Sequence, residues 1–161
     1  MNSRGALLET SIKRRLVDTQ KHLRTLQHAC SKFGEDFEPV LFEKAWLSPN
    51  DDERLIAYAV QAGYENTING VIKIAQELCE LEGWTPRNQE ATSTEALKKL
   101  HENGLIDGKT HTSLRRAYEA RGDLQHDYVN VAVREMHDVA VATIGAAPIA
   151  LQDIALYMRQ R

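Results

Sequence analysis

Apolar residues recur in steps of three and four along almost the whole chain, and that spacing predicts helices. Leu8, Ile12, Leu16, Thr19, Leu23, Leu26, Cys30 and Phe33 mark one face of an amphipathic helix over about 6–33. Lys13, Arg14, Asp18, Lys21 and Arg24 mark its outer face, and Gly34 supplies a stop. Residues 38–47 predict a short helix with Pro39 in the first turn, where the missing N–H costs nothing. The string SPNDDER places acidic side chains at the positive end of a second long helix, over about 51–82. Its seam is Val60, Gly63, Thr67, Gly70, Ile74, Leu78 and Leu81, widened by Tyr64, Ile68, Val71, Ala75 and Cys79. Two glycines seven positions apart on one seam imply a second backbone passing close by, from this chain or another. Glu65, Asn69, Lys73, Gln76 and Glu80 form the expected solvent side.

Beyond a loop at 82–95, Ser93 or Thr94 is expected to cap a helix over 95–103, ended by Asn103-Gly104. A further helix spans roughly 110–121. Gly122 and Asp123 read as a stop and a new cap. The last long helix has the stripe Val129, Val133, Met136, Ala140 and Ile144, and Gly145–Pro148 is expected to break or kink it. Residues 148–161 then form a tail helix or turn. No run of strand length alternates. The expected architecture is all-α, an up-and-down helical bundle occupying residues 1–161 as a single domain.

Composition changes this picture little. With 161 residues, 42% apolar and 27% charged, the chain is long enough for one buried core. No apolar run approaches a membrane span and no leader is recognisable, so a cytoplasmic protein with no membrane association is expected. Cys30 and Cys79 lie on apolar stripes without metal-ligand spacing, and buried free thiols are the expected state. His22, His28, His101, His111 and His137 show no ligand spacing either, so no metal and no cofactor is expected. Trp46 and Trp84 read as anchors in the core or at an interface. A net charge of −3 means that any site for a polyanion must come from local clustering of cations.

Such clustering occurs around RGDLQHDYVN, which collects Arg121, His126 and Tyr128. On one unbroken helix Arg121 and Tyr128 share a face while His126 points away. Convergence therefore needs either a break at Gly122, with Asp123 capping a new helix, or a second copy of the chain. With the break, His126 stands at a helix N-terminus, which pushes an imidazole towards its neutral, proton-accepting form. Arginine offers a planar fork of donors that fits a phosphate. Lys109, His111, Arg115 and Arg116 precede it, with Arg115 and Arg116 as candidate RNA-phosphate contacts. Arginine and histidine, with no reactive cysteine, carboxylate pair or phosphate loop, suit metal-free cleavage of RNA by attack of its own 2'-hydroxyl.

Arg121, His126 and Tyr128 in this spacing, with the upstream TPRNQEATSTEALKKLHENGLID, resemble the HEPN superfamily, and within it the HepT-like toxins of HepT–MntA toxin–antitoxin pairs. The resemblance implies a homodimeric helical-bundle ribonuclease, an endoribonuclease toxin of a type VII-like pair, with catalytic Arg121 and His126 in a cleft at the dimer interface. It also implies a minimal nucleotidyltransferase antitoxin that silences the toxin by adenylylating Tyr128. The residue after the arginine, often asparagine in the family, is Gly122 here. The same triplet also occurs in non-catalytic HEPN subunits that bind substrate or nucleotide for a separate nucleotidyltransferase. The chain thus reads as an enzyme or as a binding module.

Overall fold

The helices that start at Ser3, Asp51, Ser93 and Gly108 begin where a side chain satisfies unpaired N–H groups of the first turn. The computed structural model describes residues 2–86, 88–126 and 133–161, with 123–126 described in their backbone only. Asn2 accepts from Gly5 N at the start of α1 (Ser3–Ser31), and Pro39 opens α2 (Pro39–Trp46). Asn50 accepts from the Asp52 and Glu53 amides at the start of α3 (Asp51–Glu82), which ends at Gly83 in the left-handed region. Thr92 and Glu95 form a reciprocal capping box on α4 (Ser93–Glu102), so the cap lies one residue before the expected serine. Asp107 accepts from Thr110 N at the head of α5 (Gly108–His126), and α6 is Val133–Gln160. Among the described residues every regular element is helical, and the all-α bundle stands.

The core is a trio of long helices. α1 packs along α3, and both pack on α6; α2 covers α3 and α6, α5 lies on α6, and α4 links α3 to α5. The stripe from Ile12 of α1 to Phe33 just past its end is buried, in one core with Val60, Tyr64, Ile68, Val71, Ile74 and Leu78 of α3. The two glycines of the seam explain how closely α1 and α3 approach. A Cβ on Gly63 would stand 3.0 Å from the Leu26 Cα, and one on Gly70 would stand 2.2 Å from Thr19 Oγ1. The neighbouring backbone is therefore this chain's own α1. Position 63 meets 26 and position 70 meets 19, so the two helices run antiparallel.

Neither Gly122 nor Gly145–Pro148 ends a helix. α6 continues through Gly145 and Pro148 to Gln160, so residues 148–161 are its second half rather than a tail element. Proline removes one internal hydrogen bond and crowds the preceding turn. Here Ala146, Ala147, Ala150, Leu151 and Ile154 are buried around it, and that packing holds the helix together. α5 likewise runs on through Gly122. A helical glycine costs about 1 kcal/mol against alanine, too little to end a helix whose Leu114, Ala117 and Ala120 are buried against its neighbours. By length and composition α6 is apolar enough to cross a bilayer, but in this bundle it serves as a core helix, burying Met136, Val139, Ala140 and Ile154.

Candidate functional site

The last turns of α5 are anchored to α3 by a buried phenol. Tyr64 is fully buried and its hydroxyl donates to the Ala117 carbonyl. Burial pushes the Tyr64 phenol well above its ordinary range; Glu65 and Glu135 push the same way and Arg121 opposes them. The phenol therefore stays a neutral donor, and α5 is fixed in height along α3. Gln61 donates to Glu65 at 3.4 Å on the same edge.

One turn beyond Ala117, the half-buried Arg121 donates from Nη1 to Asn69 Oδ1, and its guanidinium carbon lies 5.3 Å from the centre of the Tyr118 ring. An amide and an aromatic face both hold the cation without neutralising it. Arg115 and Arg116, on the same helix, differ in this respect. Arg115 Nε donates to Glu119 at 2.8 Å, and Arg116 lies 3.8 Å from Asp138, both at the exposed surface. Of the three α5 arginines, Arg121 alone forms no ion pair among the described residues. Its Asn69 bond uses one of five N–H donors.

The break expected at Gly122 is absent, and this alters the reading of His126. Residue 126 is the last described residue of a continuous α5, five positions after Arg121. On such a helix the two positions stand about 140° apart around the axis. The swing of Arg121 towards His126 across a break is therefore ruled out. So is the push of His126 towards neutrality by a new helix N-terminus, since none forms at Asp123. The His126 side chain and all of Tyr128 lie outside the described residues.

Sequence reasoning missed Asn69 and Tyr118. Asn69 was expected on a solvent face, and nothing in a single sequence links it to a residue so far along the chain. Tyr118, three positions before Arg121, was open to discovery, because that spacing stacks two side chains on one helix face.

The remaining histidines and the thiols sit elsewhere. His137 is buried, with Nε2 2.5 Å from the Phe37 carbonyl and its ring stacked on Phe37 at 4.3 Å. His101 and His111 stack at 5.2 Å where α4 meets α5. Burial, then His101 and Arg115, lowers the His111 imidazole below its ordinary value, which keeps it neutral beside its neighbour. Cys30 and Cys79 are buried and unpaired, and burial pushes their thiols up to about 12 and about 11. Neither supplies a thiolate near neutral pH. Trp46 and Trp84 pack against the core from its edge. Among the described residues no three histidines, cysteines or carboxylates gather as metal ligands. A cavity of about 930 Å³ lies between the start of α1, the end of α3 and the loop before α4, and none of Arg121, Asn69 and Tyr118 lines it.

No curated protein and no solved structure matches the chain. The family model described as "Ribonuclease HepT-like" matches residues 22–154, from the middle of α1 to the second half of α6. That span includes Asn69, Tyr118, Arg121, His126 and Tyr128, and the chain belongs to the HepT-like ribonuclease family.

Proposed function

We propose that the chain is a metal-independent endoribonuclease, and that its site is composite: Arg121 of one copy works with His126 of another in a homodimer. The observation that carries this reading is the state of Arg121, a half-buried cation held by an amide and a ring, with no carboxylate paired to it among the described residues. A guanidinium so held is ready for a phosphate. Because positions 121 and 126 diverge on one continuous helix, a second copy is the remaining route to convergence among those the sequence offers.

In this mechanism His126 takes the proton of a ribose 2'-hydroxyl as that oxygen attacks the adjacent phosphorus. The bond from phosphorus to the 5'-oxygen breaks, and the leaving oxygen receives a proton from the imidazolium. The products are a 2',3'-cyclic phosphate and a 5'-hydroxyl. Arg121 neutralises charge building on the non-bridging oxygens. The toxin role belongs to the same proposal: a nucleotidyltransferase partner adenylylates Tyr128, two positions after His126 in the sequence, and blocks access to the phosphate.

Purified protein in excess EDTA should cleave a fluorescently labelled RNA, leaving cyclic phosphate ends. His126→Ala and Arg121→Ala should each slow cleavage by about 100-fold or more with helical circular dichroism unchanged. Incubation with the cognate nucleotidyltransferase and ATP should add AMP to wild type and none to Tyr128→Phe. Cleavage by His126→Ala at the wild-type rate overturns the catalytic assignment. Wild-type protein that binds RNA without cutting it makes the chain a binding subunit instead.

A further inference from the structure

Charge is distributed very unevenly in this molecule. Residues 35–58 carry seven carboxylates and two cations, so the rest of the chain is net positive although the whole is −3. One of those cations, Arg54, is already paired with Asp51 and also donates to the Ser48 carbonyl at 2.7 Å. Glu35, Asp36, Glu38, Glu43 and Asp52 form no ion pair among the described residues.

The same stretch is where apolar side chains face outwards. Six of the eleven large exposed hydrophobic residues fall between Val40 and Tyr58. Val40 is 69% exposed, Leu47 67%, Leu55 66% and Tyr58 47%, with Leu41 and Ile56 beside them. Val40 opens the outer face of α2 and Leu47 caps its C-terminal end, and Leu55 and Tyr58 share one face of the start of α3. Trp46 meets Tyr58 edge-on at 4.9 Å, which joins the two faces into one surface at the elbow between α2 and α3. A short helix that is apolar nearly all round belongs in an interior, yet α2 buries only Phe42 fully. The elbow is also pre-shaped: Ser48 Oγ donates to Glu53 at 2.5 Å, and Asn50 N donates to Ser48 Oγ at 3.0 Å.

We propose that this elbow is a docking surface for a partner protein that presents a basic amphipathic helix, with aliphatic side chains against Val40, Leu47, Leu55 and Tyr58 and lysines or arginines against Glu43 and Asp52, which share those helix faces. Charge chooses the occupant. A second copy would bring an equal excess of carboxylates against this one, and RNA or an anionic bilayer would be repelled in the same way. Apolar anchors at helical spacing inside a charged rim are the way a groove reads a helix. The inference does not depend on RNA cleavage, since the elbow contains none of Arg121, His126 and Tyr128.

The probe is a labelled amphipathic peptide of leucine and lysine, about 18 residues long so that it spans about five turns, with an analogue carrying glutamate in place of lysine. Fluorescence anisotropy with the full chain should show the lysine peptide binding at least about tenfold more tightly. The Leu47→Ser/Leu55→Ser double variant, altered only at exposed positions, should weaken it by about tenfold or more while keeping its melting temperature. Lysine-peptide binding that is absent, or equal in the double variant, overturns the proposal. Two other results also overturn it by naming a different occupant. One is a wild-type dimer in sedimentation that the double variant loses. The other is cosedimentation with phosphatidylserine vesicles that the double variant loses.

Discussion

Among the described residues the hydrogen-bond partner of Arg121 is neutral. Asn69 gives the guanidinium an acceptor without a charge, so the side chain is oriented yet still cationic, whereas Arg115 is matched by Glu119. Asn69 is thus a positioning residue for the proposed reaction, and its substitutions separate placement from charge. Asn69→Ala should release Arg121 and lower kcat/KM on an RNA oligonucleotide by about tenfold, the scale of a misplaced catalytic group. Asn69→Asp should tighten the contact into an ion pair, raise the melting temperature slightly, and lower kcat/KM further, by about 100-fold. A purely structural asparagine would move stability and activity together. An aspartate variant that cuts as fast as wild type removes this role. No pattern in the sequence could have shown it, because the Asn69–Arg121 contact crosses two helices that the periodicity leaves unpaired.

Among the helices, periodic patterns proved more legible than punctuation. The stripe of α1, the bounds of α3 and the close glycine seam follow from apolar spacing and caps, because burying one face dominates the free energy of a long helix. Gly122 and Pro148 misled for the same reason. Each carries a local penalty, and each sits in a helix whose neighbours on the buried face outweigh it. The seam allows a test. Gly70→Ala should destabilise the fold by about 1–3 kcal/mol, read from urea unfolding, since the new Cβ would meet Thr19 Oγ1 and Cγ2 at 2.2 and 2.8 Å. Thr19→Ala removes those two atoms and leaves the Thr19 Cβ at 3.0 Å, so the double variant should recover part of the loss, a non-additivity expected of residues in contact. Gly63→Ala should have no such rescue by truncating a side chain, because the Leu26 Cα itself stands 3.0 Å away. Equal, additive losses at both sites would mean that α1 and α3 pack differently.

For the molecule as a whole, the site was legible as a string of residues but not as a geometry. Arg121, His126 and Tyr128 can be picked out by chemistry and spacing. Whether they meet depends on helix continuity, which settles against convergence within one chain by way of a break, and on a second copy, which no single sequence displays. That dependence has a direct consequence. If each site takes Arg121 from one protomer and His126 from the other, two dead variants should repair one another. In a mixed dimer of Arg121→Ala with His126→Ala, one site loses both groups and the other keeps both. Random exchange of subunits makes half the dimers mixed, so an equimolar mixture should regain about a quarter of wild-type activity at the same total concentration. Unfolding and refolding the two proteins together ensures the exchange, and a tag on one variant lets the mixed dimer be isolated. A site built within one protomer would leave the mixed dimer as inactive as its parents, and that result would return the search for the partner of Arg121 to the same chain.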